Sequence, residues 1–148
     1  MFGLHQFTVL VVICYLFGSA SSRSCGDGWV ERYGRCYHFS RFSTHFFAAM
    51  YYCKRIGGAL VEIDGSHEYL TVTNLAKAIY FPDFFIGLTD IYSKGVWLKA
   101  KSLDFQRYFK WSPGEPSYGD QDCVQVYRFD SKMDNVRCTK NRHFVCEK

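Results

Sequence analysis

The chain carries no Asn-x-Ser/Thr sequon, so N-linked glycosylation is not expected. No two cysteines stand as a C-x-x-C pair, which argues against a zinc site. There is no internal repeat, low-complexity tract, coiled coil or collagen-like segment. Proline is scarce, and two of the 3 prolines fall in one stretch, WSPGEPSYGDQDC, at residues 111–123. No apolar run is long enough to span a bilayer; that at residues 7–17 is too short.

That apolar run, with Gly18, Ala20 and Ser22 after it, reads as a secretory signal peptide over residues 1–20. Cleavage is expected after Ala20 or Ser22, leaving one domain over residues 21–148 and a secreted, extracellular protein without a membrane span. Removing the leader removes Cys14. The six remaining cysteines, Cys25, Cys36, Cys53, Cys123, Cys138 and Cys146, are an even set and imply three disulfides. Spacing leaves their pairing open among the fifteen arrangements that six cysteines allow.

With 14 Phe, 11 Tyr and 3 Trp, the composition suits a loop-rich fold with an aromatic core. The net charge of +4 is mild, and the basic residues from Lys94 to Arg142 read as a solvated surface. A sharper reading makes them a patch for an acidic polymer.

Two helices are expected first. Ser43 caps THFFAAMYYCKRI, with Phe46, Phe47, Met50 and Cys53 at helical spacing and Gly57-Gly58 as the stop. Ser66 caps HEYLTVTNLAKAIY, with Tyr69, Leu70, Val72 and Leu75 inward and Pro82 ending it. Short strands are expected at ALVEI, FFIGLTD, GVWLKA, CVQVYRF and HFVCEK. A long irregular stretch lies between Leu98 and Cys123, and loops of that kind are uncommon unless functional. The class is α+β.

Taken together, Cys25 with GDGWVERYGRCYHFS, the helix ending at Cys53, GGALVEI, FFIGLTD, GVW, WSPGEPS, QDCVQV and HFVCEK resemble the C-type lectin-like domain, from Cys25 to Glu147. The resemblance implies the fold: two helices, short antiparallel strands and a long irregular loop, stapled by Cys25–Cys36, Cys53–Cys146 and Cys123–Cys138. It implies carbohydrate binding through a calcium ion in the loop, as in recognition of glycans in innate defence. The alternative is a calcium-independent module for a protein partner or an acidic extracellular or mineral matrix. No nucleic-acid partner is expected; an oligomer would form through a face of the domain.

Calcium takes several oxygen ligands, and the loop offers them. The resemblance assigns Glu115, Ser117, Gln121, Asp134 and Asn135 to carbohydrate. To calcium it assigns Glu115, Gln121, Asp134 and Asn135, with Asp122 at an auxiliary site. Glu115 alone keeps the family pattern: Ser117 and Gln121 stand where Asn and Glu are usual, and Asp134-Asn135 reverses the usual order. The set thus has one carboxylate fewer than the family's. Glu115-Pro116 goes in the family with mannose-type sugars, and Pro116 suits a cis bond. Met133 replaces a Trp beneath the site. Tyr118 is a candidate for stacking on a sugar face, whereas Trp97 and Trp111 read as core. An enzyme is not expected: the acids share one short loop, the cysteines are committed to disulfides, and His38, His45, His67 and His143 lack metal spacing.

Overall fold

The computed structural model describes residues 25–148. The signal peptide, its cleavage sites and Cys14 lie outside the described residues. Ten elements follow in order: β1 (Val30–Arg32), β2 (Arg35–Phe39), α1 (Phe46–Arg55), β3 (Ala59–Leu60), α2 (Ser66–Ala78), β4 (Phe84–Thr89), β5 (Leu98–Lys99), β6 (Cys123–Val126), β7 (Met133–Val136) and β8 (His143–Glu147). No helix among them is long and apolar enough to cross a membrane.

Neither helix begins where side-chain chemistry alone puts it. Ser43 does not cap α1; His45 does, its Nδ1 accepting from Ala48 N–H at 3.3 Å. Thr44 pairs with Arg142, so the chain is still extended past Ser43. α1 ends as its glycines require. Gly57 has φ +87°, and Gly57 and Gly58 N–H donate back to Lys54 and Cys53 carbonyls. In α2 the capping residue is Gly65, not Ser66, and no side chain caps it. Glu68, in the first turn, accepts instead from Asp64 N–H at 3.0 Å. α2 stops before Pro82: Tyr80 takes φ +53°, and Phe81 N–H returns to Ala76 O at 2.9 Å. Tyr69 and Val72 are buried and Leu75 is half-buried, but Leu70 is half-exposed, as is Phe47 on α1. A helix thirteen residues long that packs on one side leaves such positions outside.

The strands join in the order β1-β2-β8-β4-β6-β7, with β3 on β8 and β5 on β4. Pairing is antiparallel except between β4 and β8. That parallel pair is allowed because the two strands are far apart in sequence and need no hairpin. Only Ala59–Leu60 of ALVEI and Leu98–Lys99 of GVWLKA pair as strands.

Alternation along β4 divides the core. Phe84, Ile86 and Leu88 join a cluster with Tyr69, Val72, Trp97 and Val124, under α2 and the long loop. Phe85 faces the other way, to Phe46, Ala49 and Phe144 beside α1. Gly87 shares that second side, where a Cβ would come 2.8 Å from Leu60 O; the glycine lets residues 60 and 61 cross the strand. The disulfides are Cys25–Cys36, Cys53–Cys146 and Cys123–Cys138, as the resemblance implied. The second ties α1 to β8, and the third ties the start of β6 to the turn after β7.

Candidate functional site

The long stretch from β5 to β6 is irregular yet anchored. Gln106, buried, donates from Nε2 to Ile63 O (2.9 Å) and Tyr108 O (2.7 Å). Trp97 and Trp111 meet at 5.1 Å, Trp97 buried and Trp111 half-buried. Ser112 N–H donates to Met133 O at 2.8 Å, and Met133 N–H to Lys110 O at 2.7 Å. Met133 itself is fully buried, so the floor beneath the loop is closed despite the thioether.

Beyond Trp111 the chain turns at Ser112–Glu115, and the Glu115–Pro116 bond is cis. Three side-chain oxygens from separate positions then converge on Ser117. Its N–H lies 2.7 Å from Glu115 Oε2 and 2.8 Å from Asn135 Oδ1. Its hydroxyl donates to Gln121 Oε1 and lies 3.4 Å from Asn135 Oδ1. Asn135 Nδ2 donates to the carbonyls of Ser117 (2.8 Å) and Gln121 (2.7 Å), which clamps the loop to β7. Glu115, Ser117, Gln121 and Asn135 therefore form one group, half-buried except for Asn135, which is buried.

Asp134 stands apart from this group. It pairs with Gln125 across the ladder while Asn135 pairs with Val124, so successive side chains of β7 face opposite sides. The Asp134 carboxylate accepts from Gln125 Nε2 (2.8 Å) and Tyr127 Oη (2.7 Å). That bond, with burial, pushes the Tyr127 phenol up to about 12. Asp122 is also engaged elsewhere: its carboxylate pairs with Lys94, whose pKa the bond raises. Asp90 and Asp120 add to that field, so the chain's own ammonium already serves these acids. Tyr118 is almost wholly exposed, at 98%.

The donor set decides what the loop can hold. Its oxygens are hard, as calcium requires, and they converge, but only Glu115 brings a charge. The residues fit a weak oxygen site centred on Ser117. They fit an auxiliary site at Asp122 poorly, because Lys94 neutralises it. Among the described residues no group of three His, Cys, Asp or Glu side chains is placed to hold a metal.

The basic stretch is not one patch. Lys94 and Lys99 form ion pairs, Lys110 lies over Tyr69, Arg128 lies over Tyr80 and Phe129, and Arg142 donates to Gln125.

A second polar cluster escaped the sequence reading. Arg35 reaches Asp64 (2.8 Å), Glu68 and Glu147 (3.2 Å), while Lys99 pairs with Asp64. Tyr37 Oη donates to Glu68 at 3.2 Å. Burial above all holds the Tyr37 phenol well above its usual range. These residues are spread from Arg35 to Glu147, so no local motif signals them; Glu68 at a helix start was the visible trace.

Comparison with known proteins settles the family. The Lectin C-type domain model matches residues 43–148. The chain belongs to the C-type lectin family. This lectin domain is 26% identical over 158 residues to the galactose-specific lectin nattectin of Thalassophryne nattereri, covering 100% of this chain and 99% of that protein. Its fold matches the mouse scavenger receptor C-type lectin carbohydrate-recognition domain with a TM-score of 0.77 at 24% identity, over 84% of this chain and 95% of that one. It also matches a Ca2+-dependent type II antifreeze protein in its Ca2+-free form, with a TM-score of 0.76 at 22% identity, over 84% and 99%. As a C-type lectin the chain is a member of a carbohydrate-binding family and not an enzyme.

Proposed function

We propose that this C-type lectin is a secreted protein that binds glycans at the Ser117 group, with calcium held weakly by Glu115, Gln121 and Asn135. The convergence of three side-chain oxygens on Ser117 carries the reading. A carboxylate only accepts, an amide accepts and donates, and the Ser117 hydroxyl does both. Glu115 as acceptor and the Ser117 hydroxyl, which exchanges its bond to Gln121, thus offer an asymmetric pair of partners to the two hydroxyls of a vicinal diol, while Asn135 holds the loop to β7. Bound calcium would supply coordination to the same diol oxygens. With a single carboxylate, the affinity for the ion falls at the weak, about millimolar end of extracellular modules. Asp134 joins this set only by giving up Tyr127 and Gln125, and Asp122 only by giving up Lys94. Glu115 favours mannose-type over galactose-type sugars, because its carboxylate keeps the acceptor side of the pair.

Calorimetric titration of calcium into the metal-free, disulfide-bonded protein tests this, alone and with mannose or galactose present. The expected result is saturable binding that mannose tightens and Glu115→Ala abolishes. Absence of calcium heat in folded protein would overturn the calcium reading and leave a calcium-independent module for a protein or acidic matrix.

A further inference from the structure

The clefts over Asp64 and between β2 and α2 include Arg35, Asp64, Glu68 and Lys99 in their lining, four charges that pair with one another. A different cleft, of about 270 Å3, lies between α1, β3 and the segment following β5. It shares no residue with the Ser117 group. Met50 and Lys54 line it from α1, Ala59 and Leu60 from β3, and Ala100 and Lys101 from beyond β5.

Its walls are apolar for a structural reason. Leu60 belongs to the core cluster of Phe46, Phe85 and Phe144, and Ala100 packs against that cluster. Ala100 N–H donates to Gly87 O at 2.9 Å, which fixes this wall to the central strand. Phe47, one turn before Met50, is 48% exposed and prolongs the apolar strip along the helix.

The rim is basic. Ion pairs among the described residues engage Arg35, Lys94 and Lys99, not Lys54 or Lys101. No acid lines the cleft. Glu62, two residues past β3, turns one carboxylate oxygen to the N–H groups of Lys101 (2.5 Å) and Ser102 (3.0 Å). It thereby sets the backbone from which Lys101 extends. Gly57 and Gly58 N–H cap the Lys54 and Cys53 carbonyls, which reduces the negative charge that the end of α1 presents to an anion.

We propose that this cleft binds a single-chain amphiphilic anion, an aliphatic chain ending in a carboxylate. The chain would lie on Met50, Ala59, Leu60 and Ala100, and the carboxylate would be met by Lys54 and Lys101. The two lysines are the only polar side chains of the lining, so a sugar finds donors but no side-chain acceptor, and a neutral hydrocarbon leaves both ammonium groups unused. The volume equals that of about nine waters, room for a medium-length acyl chain.

Calorimetric titration of sodium octanoate into the disulfide-bonded protein tests the assignment, with 1-octanol as the neutral control. One saturable site is expected, weakening as salt rises, with octanol binding less tightly. Lys54→Glu combined with Lys101→Glu should weaken octanoate by about tenfold or more, since both cations become anions. Ala100→Leu, filling the cleft, should abolish it; if that variant fails to fold, the surface pair decides alone. No saturable octanoate binding, or equal affinity in the charge-reversed variant, would overturn the proposal. So would binding seen only with anionic phosphatidylserine vesicles, which would mark a lipid surface and not a cleft. Calcium and sugar titrations of the lysine variant should match the parent, keeping this result separate from the Ser117 site.

Discussion

Around Arg35, three carboxylates, Asp64, Glu68 and Glu147, meet one guanidinium, and Lys99 meets the first of them. Around Ser117, one carboxylate meets a hydroxyl and two amides. The richer acid cluster is the structural one. It joins β2, α2 and β8, three elements remote in sequence, and its groups are spent on each other. The poorer cluster joins only the loop and β7, yet its oxygens face a half-exposed surface. In this lectin domain, counting acids points to the Arg35 cluster, whereas convergence of acceptors on one small loop residue points to Ser117.

The largest expected effect breaks the frame that holds the first region. Cys53 and Cys146 close a loop of 93 residues, so replacing both by Ser should cost about 4–5 kcal/mol in urea unfolding. The bridge at the loop, Cys123–Cys138, closes only 15 residues and should cost about 3 kcal/mol. A larger loss from the shorter bridge would reverse the ranking of the two regions.

Glu68→Ala comes next. It takes one of the three carboxylates of Arg35 and leaves Tyr37 Oη and Asp64 N–H without that acceptor, and should cost about 1–3 kcal/mol in the same assay without changing sugar binding. An altered sugar affinity at unchanged stability would make the cluster functional instead.

The first region should also carry a pH signature. Burial, opposed by the Glu62 N–H and by Arg35 and reinforced by Glu68, pushes the Glu147 carboxyl up to about 7. Between its ordinary value of 4.5 and about 7, the folded protein keeps a proton that the unfolded chain has released. This contribution is present at the acid end of the window and is lost as pH rises through it. Asp64 has the opposite sign: Lys99 and Arg35 hold its carboxyl below the usual range, so its contribution is lost as pH falls. Glu147→Gln should flatten the upper slope by about 1–2 kcal/mol across the window, read from denaturation midpoints at stepped pH. An unchanged slope would remove Glu147 as its source.

The smallest change sharpens the second region. Gln121→Glu adds a second carboxylate beside Glu115 and should raise calcium affinity about tenfold by calorimetry, with little effect on stability. No gain would place the ion away from Ser117.

Much of the fold was legible because its signals are local. Two helical periodicities, short apolar strands and six cysteines are written in adjacent residues, and the family resemblance ordered the disulfides. The N-terminal hairpin of β1 and β2 carries no such signal, because β1 is exposed throughout and β2 buries only Tyr37 among half-buried and exposed neighbours, so neither shows clean alternation. Both helix caps shifted: Thr44 is drawn into pairing with Arg142, which delays α1, and Gly65 precedes α2 where Ser66 was expected.

At the candidate site the sequence by itself determined the oxygen-rich residues and the Glu115-Pro116 turn, since both are properties of one short stretch. Only the tertiary structure decided which of them meet. The pleat of β7 sends Asn135 to the loop and Asp134 to Tyr127, and Lys94 crosses from another turn to claim Asp122. Which face a side chain takes, and which distant charge reaches it first, depends on strand pairing and packing between segments that a linear pattern does not bring together.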